Sequence, residues 1–343
     1  MHAIHDSAGL WTLAWRRLRA DRLAMAALAV VAAFLLLLAA SASGIVAADW
    51  EEEVAANYAP PTFAAPPAAQ LTAGAPAVPG ATSTVAPPAN EFDPLADDLR
   101  ALRATLGKAV AEPVAERAPS LPFGADKWGH DIIKKTIKGG ETSIVVGLAA
   151  ATLAVGLGTL FGAVSGFYGG PVDDFFNWFY NVFTSIPSIL MILTVAAVLQ
   201  QKGVLTIVLI LGLTGWTGPY RLIRAEYIKH KAREYVMAAD AIGASAWRKM
   251  FSHIFPNVSH VALVQVSILV VGFIKAEVIL SFLGFGVPVG VVSWGSMLNE
   301  SQNELILGKW WQLTAAASAM ALLVTAFSLF ADALRDALDP KVK

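Results

Sequence analysis

The sequence has no cysteine and little charge. Without cysteine there is no disulfide, no zinc–thiolate or iron–sulfur centre, and no thiol nucleophile. Charged residues make up 15% of the chain, where a soluble domain carries roughly 25%. The 25 basic and 26 acidic side chains leave a net charge of −1, which excludes a nucleic-acid-coating chain as well as a disordered or collagenous one. What fills the space is apolar: 56% of the 343 residues are hydrophobic and the mean hydropathy is +0.58. These residues come in long blocks, which argues against a soluble globular enzyme.

A bilayer core of roughly 30 Å takes about 20 apolar helical residues to cross. Six stretches qualify: Leu23–Ala48, Ser143–Tyr168, Phe175–Leu199, Val204–Tyr220, Val258–Leu283 and Gln312–Leu334. The fourth is short and interrupted by Gly212, Gly215, Gly218 and Pro219, so a re-entrant segment is its alternative. The first has about twice the apolar length of a signal-peptide core, which favours a retained anchor (23–48) over a cleaved signal ending near Ala42-Ser43-Gly44. The expected class is all-α and polytopic: six transmembrane helices, both ends cytoplasmic.

Charge placement supports that orientation. Arg16, Arg17, Arg19 and Arg22 precede the first span. The 221–257 connection carries Arg221, Arg224, Lys229, Lys231, Arg233, Arg248 and Lys249, and the 336–343 tail carries Lys341 and Lys343. Lys127, Lys134, Lys135 and Lys138 run against the count, on the external side. Within the cytoplasmic N-terminus (1–22), Leu10, Trp11, Ala14, Trp15 and Leu18 predict one apolar helix face lying in the headgroup layer. The external segment 49–142 contains an Ala/Pro-rich insert (58–90) that cannot bury a core and reads as a disordered spacer. Leu95, Leu99, Leu102 and Leu106 predict a short amphipathic helix within Pro94–Ala111.

The segment from Arg233 to Asn257 predicts a helix–turn–helix knob on the cytoplasmic side. Glu234 sits in a first turn, where a carboxylate suits the helix dipole. Ala238, Ala239 and Ala241 make a smooth surface, Gly243 permits a sharp end, and Pro256 stops the second stretch. Such a shape suits insertion into a groove on a partner. Lys275 and Glu277, late in the fifth span, are candidates for a pathway or gate. Snorkelling or mutual neutralisation with another helix is the alternative. Asp173 and Asp174 read as turn and cap residues, His253 as structural, and Trp294, Trp310 and Trp311 as interface-belt aromatics.

Glu234-x-x-x-Ala238-Ala239-x-x-x-Gly243, followed by His253-x-x-Pro256-Asn257, resembles the coupling loop of ABC-type importer permeases. Three further stretches resemble the second (C-type) permease of the dipeptide/oligopeptide/nickel branch: Phe123–Asp131, Leu280–Pro288 with Ser293–Leu298, and Leu334–Pro340. Ala125 and His130 stand where that branch usually has Thr and Arg, and Trp178 and Asn181 where it has an Arg and an Asp.

The resemblance implies a permease core over 143–335, five helices with cytoplasmic coupling helices. Its partners would be a second, homologous permease, two cytoplasmic ATP-binding subunits, an external solute-binding protein and the lipid bilayer of a bacterial inner membrane. Nucleic acid has no place in the scheme. It also implies a non-enzymatic subunit without a cofactor of its own: no Gly-x-x-x-x-Gly-Lys-Ser/Thr phosphate loop occurs, so ATP belongs to the partners. Dipeptides, longer peptides, glutathione-like peptides and nickel complexes are the solutes it spans. The competing readings are a secondary transporter or channel working without an ATPase, which expects paired midplane charges and inverted repeats, and an intramembrane hydrolase, which expects a Ser and a His within the spans.

Overall fold

The computed structural model describes residues 10–64, 117–288 and 290–338. The helix predicted within Pro94–Ala111, most of the Ala/Pro-rich insert, and Lys341 and Lys343 lie outside the described residues. The described residues are helical apart from connecting loops and three isolated bridges near 55–61 and 118–131.

α1 (Leu10–Ala20) leads into α2 (Arg22–Ala42). Asp21 caps α2, accepting from the N–H groups of Leu23 and Ala24 at 2.8 and 3.2 Å. The apolar stripe of α1 behaves differently from expectation. Ala14 and Leu18 are buried against Val264, Ala337 and Leu338, while Trp15 is exposed. Part of the face predicted for the headgroup layer is thus packed on protein.

α3 (Ile132–Tyr168) is the axis of the fold, 37 residues or about 55 Å long. It begins eleven residues before the predicted span. Lys134, Lys135 and Lys138, read as loop residues, therefore lie on its first turns. Lysine is a good helix former, and each of the three has an acidic partner here: Lys134 has Asp49, Lys135 has Asp126 and Glu300, Lys138 has Glu141.

The predicted third span is two helices. α4 (Gly170–Thr184) and α5 (Ser188–Leu199) meet at 83° across a break at Pro187, whose ring forbids a continuous helix. α6 (Val204–Thr214) has 11 residues, about 16 Å, too few to cross alone. α7 (Thr217–Lys231) follows after Gly215, then α8 (Glu234–Ala241). α9 (Ala246–Arg248), a π turn (Lys249–Ile254) and α10 (Phe255–Phe282) form one long rod. The π turn sits where Pro256 cannot donate to the carbonyl four residues back. α11 (Trp294–Ile306) and α12 (Trp311–Leu338) complete the chain.

Among the described residues, four helices are long and apolar enough to cross a membrane, or five if the bent α4–α5 pair is one span, against the six expected. The main core joins α2, α3, α5, α6, α10, α11 and α12. A second, separate core lies at the other end of α3, beneath α8.

Candidate functional site

The loop from Arg233 to Asn257 is a packed unit. Val236, Met250, Ile254 and Val258 from the loop and its exit meet Ala163 and Phe167 of α3 and Ile223 and Tyr227 of α7. The Tyr227 hydroxyl donates to the Met250 carbonyl at 3.1 Å. Lys231 and Lys249 lie over the Phe167 ring at 5.6 and 5.8 Å. α8 ends on Gly243 (φ +80°), whose N–H donates to Asp240 while Ala244 donates to Ala239, closing the helix in the left-handed manner glycine allows.

The six sequence-singled residues divide cleanly. Ala239 is buried and belongs to the inner face. Glu234, Ala238 and Gly243 are exposed in one continuous knob with Met237 and Ile242, the latter 84% exposed. Glu234 has no partner among the described residues. Pro256 and Asn257 lie at the start of α10, where the Asn257 amide donates to the His253 carbonyl at 2.8 Å and prolongs the turn. His253 has no metal-ligating companions among the described residues.

The knob is fastened to α3 through α7. A Cβ on Gly158, Gly162 or Gly166 would stand 2.7–2.8 Å from the carbonyl oxygens of Trp216, Tyr220 or Arg224. The spacing of four residues lets two backbones touch along three turns. α7 then runs directly into the loop.

At the opposite end of α3 lies a buried polar cluster. The Lys135 ammonium, 3% exposed, donates to Asp126 (2.7 Å), Glu300 (2.7 Å) and Gln312 (3.2 Å). Asp126 also accepts from the backbone N–H groups of Trp128 and His130 and bonds the His130 ring at 2.9 Å. His130 is thus held to this carboxylate by both its ring and its backbone N–H. Deeper in, Glu277 is fully buried. Its oxygens accept from Ser143 of α3 (2.7 Å) and Ser281 (2.6 Å), while Ser143 accepts from the Trp294 N–H at 3.2 Å. Lys275, two residues away, faces the other side of α10, exposed and without a partner among the described residues. The two were expected to share one role; a helix places them nearly opposite.

Residues 158–343 match the family model described as binding-protein-dependent transport system inner membrane component, and residues 9–61 match the N-terminal TM domain of oligopeptide transport permease C. The chain is 36% identical over 231 residues to the oligopeptide transport system permease protein OppC of Bacillus subtilis, covering 67% of this chain and 75% of that protein. It is 35% identical over 221 residues to the dipeptide transport system permease protein DppC of the same organism, covering 64% and 69%. With the oligopeptide transport system permease protein OppC of Haemophilus influenzae the identity is 34% over 219 residues, covering 64% and 70%. The chain belongs to the binding-protein-dependent inner-membrane permease family.

As a C-type permease subunit of an ABC importer, it uses the family-like stretches mostly as joinery. Trp294, expected in the interface belt, is 1% exposed and donates its indole N–H to the Thr136 carbonyl at 2.9 Å. Trp311, 4% exposed, donates to Ala125 at 2.6 Å. Both were misassigned because an indole on a hydrophobic stretch looks the same whether lipid or protein covers it. Asp173, expected as a plain turn residue, holds Arg224 in a two-point ion pair.

One permease residue escaped sequence reading altogether. Glu304 on α11 is 2% exposed, and neither carboxyl oxygen has a hydrogen-bond partner among the described residues. Burial pushes its pKa up from about 4.5 to about 7; Asp126 and Glu300 add to the rise, and Lys135 and Lys127 oppose it. Asp126 goes the other way: burial works against its charge, but Lys135 and two backbone N–H groups hold its carboxyl below the ordinary value. Because Glu304's native pKa is raised, the folded protein holds an extra proton between about pH 4.5 and 7. Stability should be fullest below that window and fall as pH rises through it, by at most about 3 kcal/mol. Melting temperatures of the purified permease from pH 5 to 8 check this: Glu304→Gln should flatten the slope, and an unchanged slope would refute the assignment.

Proposed function

We propose that this permease forms half of a translocation pathway for peptides in a bacterial inner membrane, paired with a second, homologous permease. Of two cytoplasmic ATP-binding subunits, which bind the ATP and drive transport, one docks on the Glu234–Gly243 knob, while an external solute-binding protein delivers the solute. The chain carries out no catalysis and holds no cofactor. Both termini lie inside, as does the knob; the Lys135 cluster lies at the outer end. The arginines before α2 and the basic 221–257 segment support this orientation.

The observation that carries the reading is the knob itself. It exposes Met237, Ala238 and Ile242 beside a carboxylate that has no partner among the described residues, yet its underside has its own core. A loop serving only to connect two helices gains nothing from exposed apolar residues on a rigid base; a docking element requires both. Ala238 and Gly243 offer close approach, and Glu234 a charge-assisted bond to a partner cation. Ala239 packs the underside of the knob, and Pro256 and Asn257 shape the start of α10 behind it. Of the α10 pair, Lys275 is the pathway or subunit-interface residue, and Glu277 braces α3 against α10. The exposed apolar side of α4, with Phe175, Trp178 and Val182, suits the second permease or lipid.

A chain free of cysteine makes the test clean. Ile242→Cys in the permease freed of its ATP-binding subunits should react with a membrane-impermeant maleimide in inverted vesicles only, and docking of those subunits should protect it. Peptide uptake in proteoliposomes should require the ATP-binding subunits. Labelling from the outer face, or uptake unchanged without those subunits, would favour a secondary transporter or channel and overturn the reading.

A further inference from the structure

α3, α4 and α7 meet in one polar network at the level where α3 ends. The Arg224 guanidinium of α7 grips Asp173 of α4 at two points, Nε to Oδ1 at 2.6 Å and a terminal nitrogen to Oδ2 at 2.5 Å. Ser165 of α3, fully buried, donates to the same Asp173 oxygen and lies 3.1 Å from the Tyr220 hydroxyl of α7. Asn177, one turn along α4, donates to the Asp173 carbonyl at 2.9 Å. The ion pair is half-screened from solvent, with side chains 27% and 18% exposed. Such forked, charge-assisted contacts fix orientation as well as distance.

The placement matters because α4 is otherwise loosely held. No residue of α4 is buried. Apart from this network it rests on aromatic contacts, chiefly Phe179 and Phe183 against Trp216 at 5.2 and 5.4 Å. At its far end it breaks at Pro187 with an 83° bend into α5. α7, by contrast, is locked to α3 by the glycine stripe, and nine residues after Arg224 its exit reaches the knob. α4 is thus tied at one end to the helix that leads into the knob and free to turn at the other.

We propose that the Arg224–Asp173 pair is the joint that passes displacement of the knob from α7 to α4, so that Asp173 is a positioning residue for transport. This rests on the knob being the ATPase dock. When the knob is pushed, α7 moves with it together with α3, to which it is locked; the fork holds the start of α4 to that motion, and the break at Pro187 takes up the angle. The exposed aromatic side of α4 then changes its pose against the second permease or lipid. Among the described residues, the grip at Asp173 is the charged contact of α4 with the bundle.

The test uses the complete transporter in proteoliposomes, with solute uptake and ATP hydrolysis measured on the same preparation. Asp173→Asn keeps the shape and removes the charge. Uptake should fall about tenfold, within the range of coupling energies between sites, while hydrolysis stays close to that of the parent. Arg224→Lys keeps the charge and loses the fork; it should show the same split. Ser165→Ala leaves both charges in place and should show it in smaller measure, which keeps the test open if Asp173→Asn is not inserted. Uptake and hydrolysis falling together with the amount of folded protein would mark the pair as a brace and overturn the proposal. So would unchanged uptake. Failure of the underlying reading shows separately: the parent transporter would then take up solute without its ATP-binding subunits.

Discussion

Lys135→Met is expected to destabilise the protein by about 3–5 kcal/mol, among the largest effects any single side chain here can produce. The reason lies in what stays behind. Asp126 is 0% exposed, so its charge is left buried when the ammonium is gone. Its remaining partners are the N–H groups of Trp128 and His130 and the His130 ring, which do not match the ammonium of Lys135. Glu300 and Gln312 lose the same donor, so α11 and α12 lose their common attachment to α3. Removing one member of a buried pair costs far more than the pair contributes net. The double variant Lys135→Met/Asp126→Asn should therefore recover part of the loss. Thermal unfolding of the purified permease checks both, and a single-variant loss under about 1 kcal/mol would show that the site relaxes or hydrates.

That cluster marks how far the sequence could be read. Periodicity and hydropathy located the helices around the spans beginning near Leu23, Ser143, Val258 and Gln312, because long apolar runs have one solution in a bilayer. They failed where the chain bends or where charge is buried. Pro187 was visible, yet an apolar stretch on both sides of a proline does not say whether the helix kinks or turns through 83°. Lys135 was visible too, but as one of four basic residues counted toward orientation. Its partners come from positions 126, 300 and 312, and no local spacing connects those. The same holds for Asp173, whose partner lies 51 residues on. The knob was legible for the opposite reason. Glu234, Ala238, Ala239 and Gly243 lie within ten residues, so helix geometry alone sets their relation, and the family pattern falls on one exposed surface. Ala239 is the exception, since it faces the loop's own core.

Gly243→Asp should abolish most solute uptake while leaving the amount of inserted permease unchanged. The contrast follows from the geometry. Gly243 has φ +80°, but aspartate is among the side chains that tolerate this region, at a cost of about 1 kcal/mol. A Cβ there would meet nothing within 4 Å. The closing bonds from Gly243 to Asp240 and from Ala244 to Ala239 use backbone atoms and survive. The folded chain therefore has little reason to reject the change. A docked subunit has two: a side chain where it approaches a bare backbone, and a new carboxylate close to Asp240. A loss of roughly 1.4 kcal/mol of docking energy lowers affinity about tenfold, and a desolvated carboxylate costs more. Uptake and pull-down of the ATP-binding subunits should fall together in Gly243→Asp, whereas Gly243→Ala, which adds a methyl without charge, should retain much of both. Equal uptake by Gly243→Asp and the parent, at matched protein level, would mean that the tip of the knob touches nothing. If the tip is the contact surface, losing it must separate the motor from the pathway before it disturbs either one's fold.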